Sequence, residues 1–452
     1  MFDKNKWKNI DLASFRDKTI TRKKDDNSII EPIKFEDMQI ESKGDLLKGI
    51  PFALKDNFAT KHQITSSASK IIREFTPNYN STILKKLVEQ GAVPIFKANL
   101  DELAMGGTGL TSSYGAVYNP FDKRHLAGGS SSGSNYLVAD GTVPFSIGSD
   151  TGDSVRKPAA WTGIVGFKPT WGLVSRFGMY DFAPSWDTVA WFTNDIKESS
   201  LLLDILQGKD EKDFSSFSIK NEKHLDNIEL TDKYTIVKIK GIEDLIVDEE
   251  IKADYFKSLD LLKVDGHNII EVEINHKLYE AVLVIYRVIS SVEAFSCNSN
   301  LTGFHFGTYF EKGVPYIDGI IAARSEGFGY EAKKRFLYAQ EVRYSDEPEY
   351  LKALKLRRVL ADDINSHISK GDVLLIPSTP TLSPRVEDGV RLSNTHILDN
   401  FLTVFNANGS PSLSMPITKN GHKSTSVNIS ALPFDDDKVL KLANRLEVLL
   451  ND

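Results

Sequence analysis

The stretch Gly128–Gly163, GGSSSGSNYLVADGTVPFSIGSDTGDSVRKPAAWTG, sets two Gly/Ser-rich turns on either side of an apolar helix and a short apolar run. Glycine reaches backbone angles closed to other residues, so such turns let several N–H groups converge on one point. Converging amides are what an anion, or the oxyanion of an acyl-transfer intermediate, needs. Between the turns the pattern predicts a helix of about two turns stopped by Gly141, then a strand from Val143 to Ile147. A path of turn, helix, strand and turn returns the two serine clusters to one place.

Outward from this stretch the chain alternates strand and helix, the mark of an α/β fold with a central mixed sheet covered by helices on both faces. Upstream, GIPFALKDN from Gly49 reads as a strand entering a turn, and TILKKLVEQGAVPIFKANLDELAMG as helix, glycine stop, buried strand and helix. Downstream, YTIVKIKG, a helix over Glu249–Val264 and NIIEVEI read as a strand, helix, strand layer packed on the main sheet. Helices are expected over Tyr279–Phe295, Tyr330–Ile368 and Asp437–Leu450, with strands in DVLLIPSTP, SLSMPI and STSVNISA. Residues 1–45 read as one amphipathic helix and an irregular linker, residues 46–452 as the catalytic domain, and about 208–231 as a charged surface loop.

The 452 residues are 41% hydrophobic and 26% charged with a net charge of -7, an ordinary globular composition that argues against an electrostatic nucleic-acid or membrane binder. Cys297 stands alone, so neither an internal disulfide nor a cysteine metal cluster can form, and no metal site is expected. The charged N-terminus lacks the apolar core of a secretory signal, and the apolar run Ala281–Ile289 is too short to span a bilayer. A cytoplasmic location is the expectation.

A serine hydroxyl becomes a nucleophile at neutral pH only beside a base. Gly129, Ser130, Ser131, Ser132 and Gly133 match G-x-S-x-G with Ser131 as nucleophile, but RHLA before it is a poor strand and no histidine stands in a catalytic context. The second candidate is Ser154 in GSDTGDS, fed by the backbone donors of Thr151, Gly152, Asp153 and Ser154. Its base would be Lys55, acting through Ser130. Lysine is a base only when neutral, and the apolar GIPFAL before it suggests the burial that favours neutrality. The residues alone leave open that Lys55 pairs with Asp56 or a sheet-end carbonyl.

GIPFALKDN, GGSSSGS and GSDTGDSVRKPAAWTGIVGFKPTWG stand in the order of the amidase signature family, which the chain resembles from about Gly49 to Leu449. The resemblance implies a Lys, cis-Ser, Ser triad of Lys55, Ser130 and Ser154, with the serines 24 residues apart and the cis peptide at Gly129–Ser130. KANLDELAMGGTGLTSSYGAVYNP, SRFGMYDFAPSWDT and RSEGFGYEAKKRF are similar, within the family, to the glutaminase subunits of tRNA-dependent amidotransferases. That likeness implies a glutamine pocket of Tyr286, Arg335 and Asp399, in which a guanidinium takes the α-carboxylate and a carboxylate the α-ammonium. It further implies ammonia delivery to B and C subunits that convert Glu-tRNA(Gln) to Gln-tRNA(Gln), with ATP and magnesium on a partner and no cofactor here. Glu-tRNA(Gln) would be met mainly through the partner.

Two positions depart from the family pattern: Asp153 replaces the glycine before the nucleophile, and Ser132 replaces a glycine of the serine loop. An anion facing the developing oxyanion would oppose catalysis, so Asp153 is expected to turn away and be held by Arg156 or Lys157. Otherwise the chain would be a scaffold that has lost activity. A free-standing amidase for small amides is the third alternative, disfavoured by Arg335, Asp399 and DELAMG.

Overall fold

The computed structural model describes residues 1–217, 223–306, 313–345, 348–388 and 401–452. Among them eleven strands make one mixed sheet: β1 (Ile29–Pro32), β2 (Pro51–Lys55), β3 (Val93–Ala98), β4 (Phe145–Asp150), β5 (Val165–Lys168), β6 (Thr188–Thr193), β7 (Thr235–Ile239), β8 (Asn268–Val272), β9 (Val373–Pro377), β10 (Ser412–Thr418) and β11 (Thr425–Ser430). Their order is β1-β3-β2-β4-β6-β5-β10-β11-β9-β7-β8. Strand residues alternate between faces, and the two faces carry separate cores. Ala53, Phe96, Ala190 and Phe192 pack under helices Ser132–Ala139 and Arg156–Thr162. Phe52, Leu54, Ile147 and Trp191 pack on the other face with helices Ile196–Leu206 and Asp436–Asn451.

β2 runs parallel to β4, pairing Leu54 with Ile147, while β6 lies antiparallel to β4 and pairs Thr188 with Asp150. Lys55 and the Thr151–Ser154 turn therefore emerge together from the carboxyl ends of two parallel neighbours, where α/β sheets place their ligands. The ladder with β6 also explains why β4 starts and ends later than the apolar run Val143–Ile147 suggests. Cross-strand bonds carry it to Asp150 through the polar residues Ser149 and Asp150.

Four further expectations are corrected. β7 and β8 form a parallel unit with helix Glu249–Val264, but they extend the same sheet beyond β9 and form no separate layer. The N-terminal segment contains two helices, Lys4–Lys8 and Leu12–Arg22, each started by an aspartate accepting N-cap bonds. It then supplies edge strand β1, antiparallel to β3, where a linker was expected. DELAMG makes a 3-10 turn at Glu102–Ala104, because Leu103 and Ala104 take φ of 53° and 59°, values no α-helix contains. The helical run expected over Tyr330–Ile368 is two helices, Tyr330–Tyr344 and Glu349–Ile368, with Pro348 at the start of the second. Proline lacks the N–H that a continuous helix would require.

Candidate active site

Lys55 is the last residue of β2 and is fully buried. Its Nζ lies 2.8 Å from Ser130 Oγ, 2.9 Å from Ser131 Oγ and 2.9 Å from Ser149 Oγ. These partners are neutral hydroxyls, so burial dominates and draws the amine down to about 7 against the opposing charges of Asp101, Asp150 and Asp187. Asp56, its sequence neighbour, is committed elsewhere, to Lys97 at 3.2 Å and to the Ser66 hydroxyl at 2.6 Å. Lys55 is thus a buried amine near neutrality, facing the serine turn.

The Gly129–Ser130 peptide is cis. DELAMG builds the floor of this turn. The Asp101 N–H donates to the Ser130 carbonyl at 3.0 Å, and the buried Asp101 carboxylate accepts from the N–H groups of Gly109 and Thr111, both at 3.0 Å. A Cβ on residue 129 would fall 2.1 Å from Asp101 Oδ2, so only glycine fits there. The second turn joins the first through the Ser131 N–H, which donates to the Ser154 carbonyl at 3.3 Å.

The Ser154 hydroxyl makes no hydrogen bond among the described residues, and neither do the N–H groups of Thr151, Gly152, Asp153 and Ser154. That turn is held from behind. Arg156 donates to Asp150 at 2.8 and 3.1 Å, to the Gly152 carbonyl at 2.7 Å and to Asn406 Oδ1 at 2.6 Å. Burial alone would raise Asp150, but Arg156 outweighs it and holds the carboxyl at about 2. Asp187 accepts from the Thr151 hydroxyl at 2.7 Å and steadies the near side.

Asp153 forms a short ion pair with Lys157, one helical turn on, and its side chain is 16% exposed. Burial pushes its carboxyl up while the Lys157 ammonium opposes the shift. Of the two expected braces, Lys157 holds Asp153 and Arg156 holds Asp150 instead. The reason is reach, since Arg156 is fully occupied beneath the turn.

Tyr286, on helix Val282–Cys297, stacks edge-on against Trp186 at 5.3 Å and Phe182 at 6.4 Å. Its ring stands beside the turn, because a Cβ on Gly152 would come within 3.4 Å of Tyr286 Cζ. Arg335 lays its guanidinium 5.0 Å over Phe182, and its buried Nε has no hydrogen-bond partner. Tyr286 and Arg335 therefore meet at one side of Gly152. Asp399 lies outside the described residues. Residue reasoning missed Ser131, Ser149, Asp101 and Asp187 as supports. Ser131 and Ser149 are visible in the sequence only as members of the serine clusters, and Asp101 only as part of DELAMG.

A central mixed sheet bearing a cis Gly-Ser peptide, a buried near-neutral lysine and an open row of amide donors defines an α/β amidohydrolase. The chain belongs to the amidase family, whose model, described as Amidase, matches residues 33–440. It is 36% identical over 417 residues to the A subunit of the glutamyl-tRNA(Gln) amidotransferase of Mycoplasma genitalium, covering 90% of this chain and 87% of the relative. The A subunit of the same enzyme in Legionella pneumophila strain Philadelphia 1 is 35% identical over 440 residues, 94% of this chain and 88% of that one. The crystal structure of the Thermotoga maritima A subunit superposes with a TM-score of 0.79 at 30% identity, covering 96% of this chain and 90% of the other. Peptide amidase from Stenotrophomonas maltophilia shares the fold, with a TM-score of 0.80 at 22% identity over 98% of this chain and 94% of its own. Among the described residues no helix is long and apolar enough to cross a membrane.

Proposed function

We propose that the protein is the glutaminase subunit of a tRNA-dependent amidotransferase, working by Lys55, Ser130 and Ser154. Ser154 Oγ attacks the side-chain amide carbon of glutamine, and its proton passes through Ser130 to neutral Lys55. The unspent N–H groups of residues 151–154 receive the oxyanion. The proton returns through Ser130 to the leaving nitrogen, ammonia departs, and a γ-glutamyl ester remains on Ser154. Water then attacks that ester by the same relay and releases glutamate.

The observation that carries glutamine over a generic amide is the buried, unpartnered Nε of Arg335 beside Tyr286 at the Gly152 turn. A guanidinium left unmatched in a part-buried pocket calls for a carboxylate, and glutamine presents one at the far end from its amide. Asp399 would take the α-ammonium. The ammonia would go to B and C partner subunits in the cytoplasm, which would bind ATP and magnesium and activate Glu-tRNA(Gln), as the names of the relatives suggest. A net charge of -7 agrees with tRNA being held mainly by a partner.

The test is ammonia release from glutamine by the chain purified with co-expressed partners, with and without charged tRNA. Glutamine hydrolysis lost in Ser154→Ala supports the reading. A wild-type complex as inert as that variant, yet active with free ammonia, would replace it by the scaffold reading.

A further inference from the structure

Asp122, His125 and His422 bring one ligand atom each to within 4.8 Å of one another, away from the amidase triad. Asp122 and His125 lie on the loop that leads into the Gly128–Ser130 turn, and His422 sits on the 3-10 turn Gly421–Lys423 that joins β10 to β11. The two imidazoles stack with centroids 4.3 Å apart at 26°, and His125 Nδ1 is buried with no hydrogen-bond partner. His125 Nδ1 and Asp122 Oδ2 stand 3.3 Å apart. This matches the edge of a tetrahedral zinc site, whose ligand atoms lie about 3.3 Å from one another for bonds of about 2.0 Å.

We infer that Asp122, His125 and His422 form a site for Zn2+ or a similar nitrogen- and oxygen-binding divalent cation, clamping the serine-turn loop to the β10–β11 hairpin. Two imidazoles and a carboxylate are a ligand set that suits zinc, with water completing four-coordination. Rotation of the His422 ring about its side-chain bonds closes the remaining gap of about 1.5 Å to that spacing. The competitor for Asp122 is Arg124. Its exposed guanidinium reaches back to Asp122 at 2.7 and 3.0 Å and must swing away for the carboxylate to bind a cation.

The clamp has a mechanical meaning. The hairpin also closes on the end of helix Arg156–Thr162, where a Cβ on Gly163 would meet Ser424 Oγ at 2.6 Å. A cation would therefore tie the approach to Ser130 to the element that backs the helix after Ser154. The inference is independent of the glutaminase reading, since it needs no substrate.

The experiment titrates Zn2+ into tag-free, chelator-stripped full-length protein by calorimetry, with Co2+ absorption reporting coordination geometry. One Zn2+ per chain, a tetrahedral Co2+ band and a higher melting temperature with metal are expected. His422→Ala, at a hairpin turn outside the core, should weaken binding about 100-fold or more, and Arg124→Ala should tighten it by freeing Asp122. No uptake of Zn2+ by the wild type, or uptake unchanged in both His422→Ala and Arg124→Ala, would overturn the site.

Discussion

At the scale of single residues, the decisive balance is at Lys55. Removing its side chain from water lowers the amine to about 7 despite three carboxylates that pull the other way. As the base must be neutral, kcat/KM for glutamine should rise with pH through about 7 and fall roughly tenfold per unit well below it. An acid limb that persists unchanged in a complex carrying Lys55→Ala would assign it to another group. Ser154→Ala should abolish glutamine hydrolysis, and Lys55→Ala or Ser130→Ala should each lower it by about 10² or more. The same shift has a stability sign. Between about 7 and the ordinary 10.5 the unfolded chain holds a proton the folded one lacks, so Lys55 makes stability rise with pH in that window. Asp153 tests the departure from the family pattern. With its carboxylate on Lys157 and only its N–H at the turn, Asp153→Gly should leave glutaminase activity nearly unchanged. A large gain from an inert wild type would instead show that the aspartate suppresses the reaction.

At the scale of elements, three pieces of chain converge under the nucleophile turn. β4 delivers Asp150, helix Arg156–Thr162 begins with Arg156, and helix Phe401–Ala407 closes the group with Asn406 and the Leu402 carbonyl, 2.8 Å from Arg156 Nη1. All are buried, so removing one partner strands a charge in the interior. Arg156→Met should therefore destabilise the protein by about 3–5 kcal/mol in a urea titration, and glutaminase activity should fall with it. A loss under about 1 kcal/mol would mean that the pair contributes no more than exposed ion pairs do. Acid works on the same group. Asp150 sits at about 2 when folded, below its ordinary 3.8, so its contribution is present above 3.8 and is lost as the pH falls through about 2.

At the scale of the whole molecule, the pocket is assembled from distant parts of one chain. The turn at Gly152, the aromatic wall of Phe182 and Trp186, Tyr286 and Arg335 come from different elements and share one corner. If Arg335 binds the α-carboxylate of glutamine, Arg335→Ala should forfeit about 1.5–3 kcal/mol of binding to glutamine while leaving ammonia-driven amidation by the complex intact. Steady-state assays with the two nitrogen donors separate the cases. Equal loss with both would move Arg335 from the pocket to the fold or the subunit interface.

The local sequence alone determined much of the catalytic stretch. Glycines at the turns, the two-turn helix between them and the spacing of Ser130 and Ser154 follow from short-range backbone preferences, which act within a few residues. Resemblance of GIPFALKDN, GGSSSGS and GSDTGDS to one family then tied Lys55 to the serines. The strand ends, the β7–β8 extension of the sheet, edge strand β1 and the left-handed turn in DELAMG were decided by pairing and packing between segments far apart in the chain. Periodicity carries no trace of such partners. The same holds for the charges: nothing near Lys55, Asp153 or Arg156 in sequence says which partner each takes. Lys55 is withdrawn from Asp56 because Lys97 on β3 claims that carboxylate, and Asp153 goes to Lys157 because Arg156 is spent on Asp150. Electrostatic partners are chosen by distance and burial, and only the folded chain sets those.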